Sequence, residues 1–295
     1  MWAWHDRKGE PMSSTAIIMR SKDEMPHAVT ALDRLATQRW TDWTLYNVDS
    51  GSRDGTLEVV RKANPDRLTE IAPSAYVPGK VLNEMIARTH EPLIVFLNAD
   101  AIPLDDRWLE RLLRPLQEGT ADATMSKQHA RPDAHFIVDY DYRRAYDPKN
   151  IKEENEDFFS AVACAFRREW WERIKFPESG YAEDLAWAKT CRETGARLKL
   201  VLDSEVEHSH NYTLKSLYTK KYRHGQTYHR MYGRQPHVVA QTVACLREIV
   251  RDGLYACFRM KPWTIPYNLA YRIVIHVALH KGLRQAANAS RISSS

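Results

Sequence analysis

The chain has 295 residues, 43% hydrophobic and 27% charged, a balance that supports one large core or two modest ones and excludes disordered and fibrous classes. No run approaches the roughly 18 consecutive apolar residues of a spanning helix. Met1–Pro11 mixes Trp2, Trp4, His5, Asp6, Arg7 and Lys8 without an apolar signal core, so neither simple membrane spanning nor a cleaved signal is expected. Cys164, Cys191, Cys245 and Cys257 form no CxxC pair and no zinc-ligand spacing, and reduced thiols in a cytosol are expected. The net charge of +5 is unevenly spread. Residues 205–295 hold 14 Lys/Arg against Glu205, Glu207, Glu248 and Asp252, a net +10, which leaves −5 on the first 204. Such a basic C-terminal part predicts an anionic partner, whether lipid, nucleic acid or a nucleotide-linked substrate. No internal repeat is present, and Ser293–Ser295 is expected to fray.

Strands and helices alternate along the chain. Thr15–Met19 is a short apolar β-type run that ends in Arg20, Ser21, Lys22, Asp23 and Glu24, followed by a helical pattern through Ala28, Leu32 and Leu35. A second strand–helix unit runs from Trp43–Val48 through Asp49-Ser-Gly-Ser-Arg-Asp-Gly-Thr56 into a helix carrying Leu57, Val59 and Val60. A third strand is predicted at Leu68–Ala72, a helix at Lys80–Thr89, and a strand covered on both faces at Leu93–Leu97, where the apolar run does not alternate. Polar residues therefore gather where strands end, at Arg20–Glu24, Asp49–Asp54 and Asn98–Asp100. In open α/β sheets ligands bind in that crevice.

Those loops carry the candidate chemistry. Asp49, Ser52 and Asp54 surround a turn whose Gly51 permits close backbone approach; the loop suits either a nucleotide's base, ribose or phosphate, or an ordinary turn with Asp as the helix cap. Asp100 emerges from a hydrophobic strand, where a carboxylate needs a cation or a partner. Further on, Phe158–Phe166 reads as core, and Glu183 and Asp184 open an amphipathic helix through Leu185, Ala188 and Cys191. Adjacent acids point in different directions, so one can serve the helix dipole and the other chemistry. A strand at Leu198–Leu202 leads to His208 and His210, whose spacing in an extended segment puts both imidazoles on one side, as ligands or as hydrogen-bonding surface groups.

Taken together, Ala16-Ile-Ile-Met, Val48-Asp-Ser-Gly-Ser-Arg-Asp-Gly-Thr56, Gly79-Lys-Val-Leu-Asn83, Ile94-Val-Phe-Leu-Asn-Ala-Asp100, Ala182-Glu-Asp184 and His208-Ser-His-Asn-Tyr-Thr213 resemble glycosyltransferase family 2, inverting enzymes of the GT-A fold. The resemblance covers about residues 13 to 215, and the His-Ser-His-Asn-Tyr ending looks most like rhamnosyltransferase-type members that build bacterial surface polysaccharides. It implies an α/β fold with a Rossmann-like, mixed but mostly parallel sheet flanked by helices. The implied catalytic domain is 13–212, with a nucleotide-sugar half at about 13–103 and an acceptor half at about 104–212; residues 213–295 form a basic, amphipathic helical extension.

The resemblance further implies donor binding by Arg20, Glu24, Asp49, Ser52, Asp54, Lys80, Asn83, Asn98 and Asp100. Asp100 would be the metal-binding aspartate of the family's DXD-type motif, although Asn98 stands where the family often has the first Asp. Mn²⁺ or Mg²⁺ would then be held by Asp100, the donor diphosphate and His208 or His210. Asp184 would be the general base and Glu183 its helix-capping or acceptor-binding neighbour. The expected donor is dTDP-rhamnose or a UDP-sugar, and the expected acceptor is a glycan or lipid-linked glycan.

Beyond Tyr212, Lys215, Lys220, Lys221, Arg223, His224, His229 and Arg230 interleave with Tyr218, Tyr222, Tyr228 and Tyr232. Apolar positions Ile265, Leu269, Ile273, Val277 and Leu283 lie beside Arg272, Lys281 and Arg284. Helices at 236–258 and 263–285 are predicted. They suit an anionic membrane surface, packing on the catalytic domain, or a homodimer. The expectation is a cytoplasmic enzyme, peripheral to the inner face of a membrane. The competing readings are a nucleotidyltransferase and a non-catalytic nucleotide- or nucleic-acid-binding protein, and no recognised nucleic-acid module favours the last.

Overall fold

The structure, a computed structural model, describes residues 14–64, 66–151, 159–178 and 181–293. The start of the chain, Phe158, and Ser294 and Ser295 lie outside the described residues. The chain forms two compact units, one within Met1–Arg131, Tyr142–Ser179 and Glu183–Ser209, the other within Pro132–Asp141, Gly180–Ala182 and His210–Ser295.

The first unit is built on an eight-stranded sheet. Its strands are β1 (Thr15–Ser21), β2 (Trp43–Asp49), β3 (Leu68–Glu70), β4 (Leu93–Asn98), β5 (Ile102–Pro103), β6 (Ala123–His129), β7 (Ala163–Arg167) and β8 (Leu198–Glu207), in the order β3-β2-β1-β4-β7-β6-β8-β5. β1 pairs in parallel with β2 and β4, and β2 with β3, while β7 runs antiparallel to both β4 and β6. Because the pairing register sets Ser21 opposite Asp49 and Arg20 opposite Asn98, the polar ends of three parallel strands form one row. That register turns three loops distant in sequence into one crevice.

The flanking helices are α1 (His27–Ala36), α2 (Thr56–Ala63), α3 (Pro78–Ala87), α4 (Trp108–Gln117), α6 (Arg168–Arg173) and α7 (Glu183–Glu193); α5 (Phe136–Ala145) has residues in both units. β4 is buried on both faces, as its unbroken apolar run predicts. Ile94 and Phe96 join Ile18, Phe166, Phe176 and Trp187 on one side; Val95 and Leu97 join Ile17, Met19, Trp108 and Leu112 on the other. Each such side chain removed from water contributes roughly 1.5–3 kcal/mol. Phe96 meets Phe166 edge-on at 5.2 Å, and Phe176 stacks on Trp187 at 4.9 Å.

Three local features differ from the pattern reading. β3 stops at Glu70. The segment read only as core contains β7, inserted between β4 and β6. β8 continues past Leu202 to Glu207 because a bulge shifts its register on β6 from Ser126↔Val201 to Lys127↔Glu205, after which pairing resumes with β5 and β6.

In the second unit the long helices are α8 (Leu214–Tyr232), α9 (Val238–Phe258) and α10 (Ile265–Ser293). Thr213 caps α8 by accepting the Ser216 N–H at 3.2 Å, and Gly233 ends it at φ +63°. α8 and α10 approach through facing glycines: a Cβ on Gly225 would lie 2.3 Å from the Leu279 carbonyl oxygen, and one on Gly282 would lie 2.1 Å from that of Tyr222. Inside this unit Arg272 joins Asp141, Asp252 and Glu248, and Tyr140 stacks on Tyr255 at 3.8 Å. α10 runs past the predicted end at 285 to Ser293. All four cysteines are free thiols. Among the described residues no helix is long and apolar enough to cross a membrane.

Candidate active site

A cavity of about 360 Å³ opens at the carboxyl ends of β1, β2 and β4, walled by Arg20, Ser21, Lys22, Glu24, Ser50, Pro73, Tyr76 and Asn98. Arg20 organises one side of it. Its Nε and Nη2 donate to Asn98 Oδ1 at 3.2 and 2.9 Å, Nη2 also donates to the Ala161 carbonyl at 3.1 Å, and Nη1 lies 3.6 Å from Glu183 Oε1. Asn98 therefore holds an arginine, which accounts for a neutral amide at that position. Burial pushes the Glu24 carboxyl up to about 8, and the nearby charge of Asp100 adds to the shift.

The loop after β2 is organised from within. Asp49, fully buried, accepts from Ser21 Oγ at 2.6 Å, from the Gly51 and Ser52 N–H groups at 2.9 and 2.8 Å, and from Ser52 Oγ at 2.6 Å. Gly51 adopts φ +80°, with Pro73 so near that a Cβ would lie 2.9 Å from its ring. Asp54 accepts the Met25 and Thr56 N–H groups at 2.8 and 3.0 Å, which is a capping role at the start of α2. The cavity wall takes Ser50 from this loop; Asp49, Ser52 and Asp54 shape it.

Lys80 and Asn83 are not brought to the cavity wall. Lys80 is exposed and 3.8 Å from Glu84. Asn83 is buried, its amide donating to the Phe176 carbonyl and Glu178 while its oxygen accepts from Trp171 Nε1 and the Phe176 N–H, so it clamps the 176–178 segment to α3.

At the end of β4, Asp100 is 1% exposed and meets Arg131 and His208. Arg131 Nη2 donates to its Oδ2 at 3.1 Å and to its carbonyl oxygen at 2.6 Å, and Nη1 donates to the Ser209 carbonyl at 2.6 Å. His208 Nε2 lies 3.4 Å from Asp100 Oδ2. The other imidazole nitrogen, Nδ1, is 3.0 Å from Gln128 Oε1, and Gln128 donates its Nε2 to Ser160 Oγ at 3.2 Å. That bond makes the Gln128 oxygen the acceptor from Nδ1, and Nε2 faces the carboxylate. A carboxylate oxygen and an imidazole nitrogen converging in a buried place fit a divalent cation. His210 begins the last segment of the second unit, its ring 5.5 Å from that of Tyr212.

The two acids at the start of α7 differ in surroundings. Asp184 Oδ2 accepts the Ala161 N–H at 3.1 Å and Oδ1 the Leu185 N–H at 2.9 Å, so its carboxylate meets a first-turn N–H of α7. Burial raises the Glu183 pKa, Asp184 raises it further, and Arg20 opposes both. Arg131, Gln128, Tyr76 and Ser50 escaped the sequence reading. Only the alternation on β6 that ends in Lys127-Gln-His-Ala-Arg131 could have drawn attention to the first two.

A family model described as glycosyl transferase family 2 matches residues 16–175, more than half of the chain. The chain belongs to this family. It is similar to the O-antigen chain rhamnosyltransferase WbaN of Salmonella anatum, with 26% identity over 201 residues, 60% of this chain and 64% of that protein. It is also similar to the O-antigen chain rhamnosyltransferase RfbN of Salmonella typhimurium, with 27% identity over 194 residues, 62% of each. The chain spans a little under two thirds of the length of these curated relatives. Among solved structures, the mannosyltransferase PcManGT of Pyrobaculum calidifontis, in complex with GDP-Man and Mn²⁺, has a TM-score of 0.57 at 22% identity, covering 96% of this chain and 76% of that one. Glucosyl-3-phosphoglycerate synthase of Mycobacterium tuberculosis, with Mg²⁺ and uridine diphosphate, has a TM-score of 0.53 at 17% identity, covering 77% and 85%. At these identities the likeness establishes the fold, that of the GT-A glycosyltransferases.

Proposed function

We propose that this glycosyltransferase moves a sugar from a nucleoside-diphosphate donor, dTDP-rhamnose or a UDP-sugar, to a hydroxyl of a glycan or lipid-linked glycan in bacterial surface polysaccharide synthesis. The names of the two curated relatives support the rhamnosyl donor and the O-antigen setting. The observation that carries the reading is the buried Asp100, set at the end of a parallel strand and facing the His208 Nε2 at 3.4 Å.

Asp100 and His208 would hold Mn²⁺ or Mg²⁺. Bound there, the cation supplies Lewis-acid neutralisation of the donor diphosphate. Arg131 compensates the buried Asp100 charge, and Gln128 fixes the imidazole tautomer. Ser50, Tyr76 and Glu24 line the space for the nucleotide, and Asp49 keeps its loop in shape.

Asp184 acts as the general base, accepting the proton of the acceptor hydroxyl as that oxygen attacks the anomeric carbon; a single displacement inverts the configuration. Ala161 supports this placement, because its N–H orients Asp184 while its carbonyl receives Arg20. A second reading gives the base role to Glu183, favoured by the raised proton affinity that burial confers on it.

Calorimetric titration with dTDP, UDP and GDP, each with and without Mn²⁺, tests the donor site. Binding of dTDP or UDP that Mn²⁺ strengthens, and that Asp100→Ala removes, is the expected result. Absence of binding by all three nucleotides overturns the reading.

A further inference from the structure

We propose that the α9–α10 hairpin docks on an anionic phospholipid surface through the exposed apolar face of α9 and the turn that follows it. Along α9, Val239, Val243, Leu246, Val250, Leu254 and Phe258 recur every three or four residues, which places them on one helix face. They are 57–80% exposed, among the most exposed large apolar side chains described. The packed side of the same helix is elsewhere: Asp252 and Ala256 are buried, and Tyr255 stacks on Tyr140. The face continues into the turn, where Met260 and Trp263 are 78% and 72% exposed, and onto α10 at Leu269, Ile273 and Val277. Between the two helices lies a largely apolar cleft of about 400 Å³. A contiguous apolar face of this extent marks an interaction surface.

Charge selects the occupant. From Val238 to Ser293 the acids are Glu248 and Asp252, and both are neutralised internally. Glu248 meets His276 and Arg272, while Asp252 meets Arg251 and Arg272. No acid follows Asp252, whereas Arg259 and Lys261 alternate with Phe258, Met260 and Trp263 at the turn, and Lys281 and Arg284 are exposed on α10. The surface therefore offers apolar side chains rimmed by uncompensated cations. A second copy would bring the same cations against it, whereas anionic headgroups complement them and acyl chains accept Phe258, Met260 and Trp263. Neither helix is apolar enough to span a bilayer, so the hairpin lies on the surface.

The proposal does not depend on the sugar-transfer reading, because vesicle binding requires no donor. The test is flotation of the full chain with vesicles of phosphatidylcholine alone and of phosphatidylcholine mixed with phosphatidylglycerol, at low and high salt. Expected is binding to the mixed vesicles, weakened by salt, and reduced at least tenfold in both Phe258→Ser/Trp263→Ser and Arg259→Glu/Lys261→Glu. Thermal melting and nucleotide titration of each variant confirm that it is folded; these side chains are exposed, and wild-type values are expected. Absence of binding to mixed vesicles, binding equal on neutral vesicles, or unchanged binding by both folded variants overturns the proposal. So does a dimer in sedimentation that dissociates in Phe258→Ser/Trp263→Ser without any vesicle binding by the wild type.

Discussion

The Nε2 of His208 stands 3.4 Å from Oδ2 of Asp100, and Gln128 holds the opposite ring nitrogen at 3.0 Å. Eighty residues separate Gln128 from His208, yet the parallel pairing of β6 with β8 brings them side by side. If Gln128 sets the tautomer, Gln128→Leu weakens the Mn²⁺ dependence of nucleotide binding about 10–100-fold. Asp100→Ala abolishes it. Calorimetry at varied Mn²⁺ reads both, and an unaltered Mn²⁺ midpoint in Gln128→Leu would show that the amide has no orienting role.

Asn98 already gives its side-chain oxygen to Arg20 through two hydrogen bonds. Asn98→Asp should then form a charged fork with that guanidinium in place of a new metal ligand. The Mn²⁺ dependence of nucleotide binding is expected to match wild type. A marked gain in Mn²⁺ affinity would mean that the carboxylate leaves Arg20.

For the chemical step, Asp184→Asn should lower kcat by about 10²–10⁴-fold with nucleotide affinity retained. The same loss in Glu183→Gln, with Asp184→Asn nearly active, would assign the base to Glu183. Steady-state kinetics on both variants, with circular dichroism to verify folding, separates the two.

His224 sits half-buried against Tyr181, its hydroxyl at 3.3 Å; desolvation, then Lys221 and Lys220, hold the imidazolium pKa down at about 3. The unfolded side chain titrates near about 6.5, so the unfolded chain binds a proton that the folded one refuses. The stability associated with the neutral ring is complete above about pH 6.5 and is lost as pH falls toward about 3. His224→Phe should flatten this part of the pH–Tm curve, followed by circular dichroism. A parallel curve in the variant would remove His224 as the source.

The helical unit supplies a paired test of glycine packing. Gly225→Ala forces a Cβ against the Leu279 carbonyl, an overpacking cost of about 1–3 kcal/mol that lowers Tm. At Gly253, inside α9, an added methyl would meet no atom within 4 Å, and Gly253→Ala should stabilise by up to about 1 kcal/mol through helix propensity. Equal Tm shifts in the two would contradict the close α8–α10 approach.

Much of the architecture was legible in residue patterns because burial periodicity is local. The unbroken run Leu93–Leu97 specified a strand covered on both faces, the polar clusters after β1, β2 and β4 marked the crevice, and the net +10 of residues 205–295 marked a basic C-terminal part. Asp100 stood out for the same reason, as a carboxylate leaving an apolar strand. What the patterns could not assign was the partner of each polar group. Asn83 and Asn98 lie in motifs of the family, yet one clamps the 176–178 segment and the other seats Arg20. For Arg131 and Gln128 the alternation on β6 names no role, since their roles arise only once β6 pairs with β8 and brings them to Asp100 and His208. The helix at 236–258 likewise stays open in sequence between a membrane surface, packing on the catalytic domain and a homodimer. Periodicity states that one face is apolar; whether another element covers that face depends on the tertiary arrangement, and here Tyr255 turns the opposite side inward and leaves the stripe exposed.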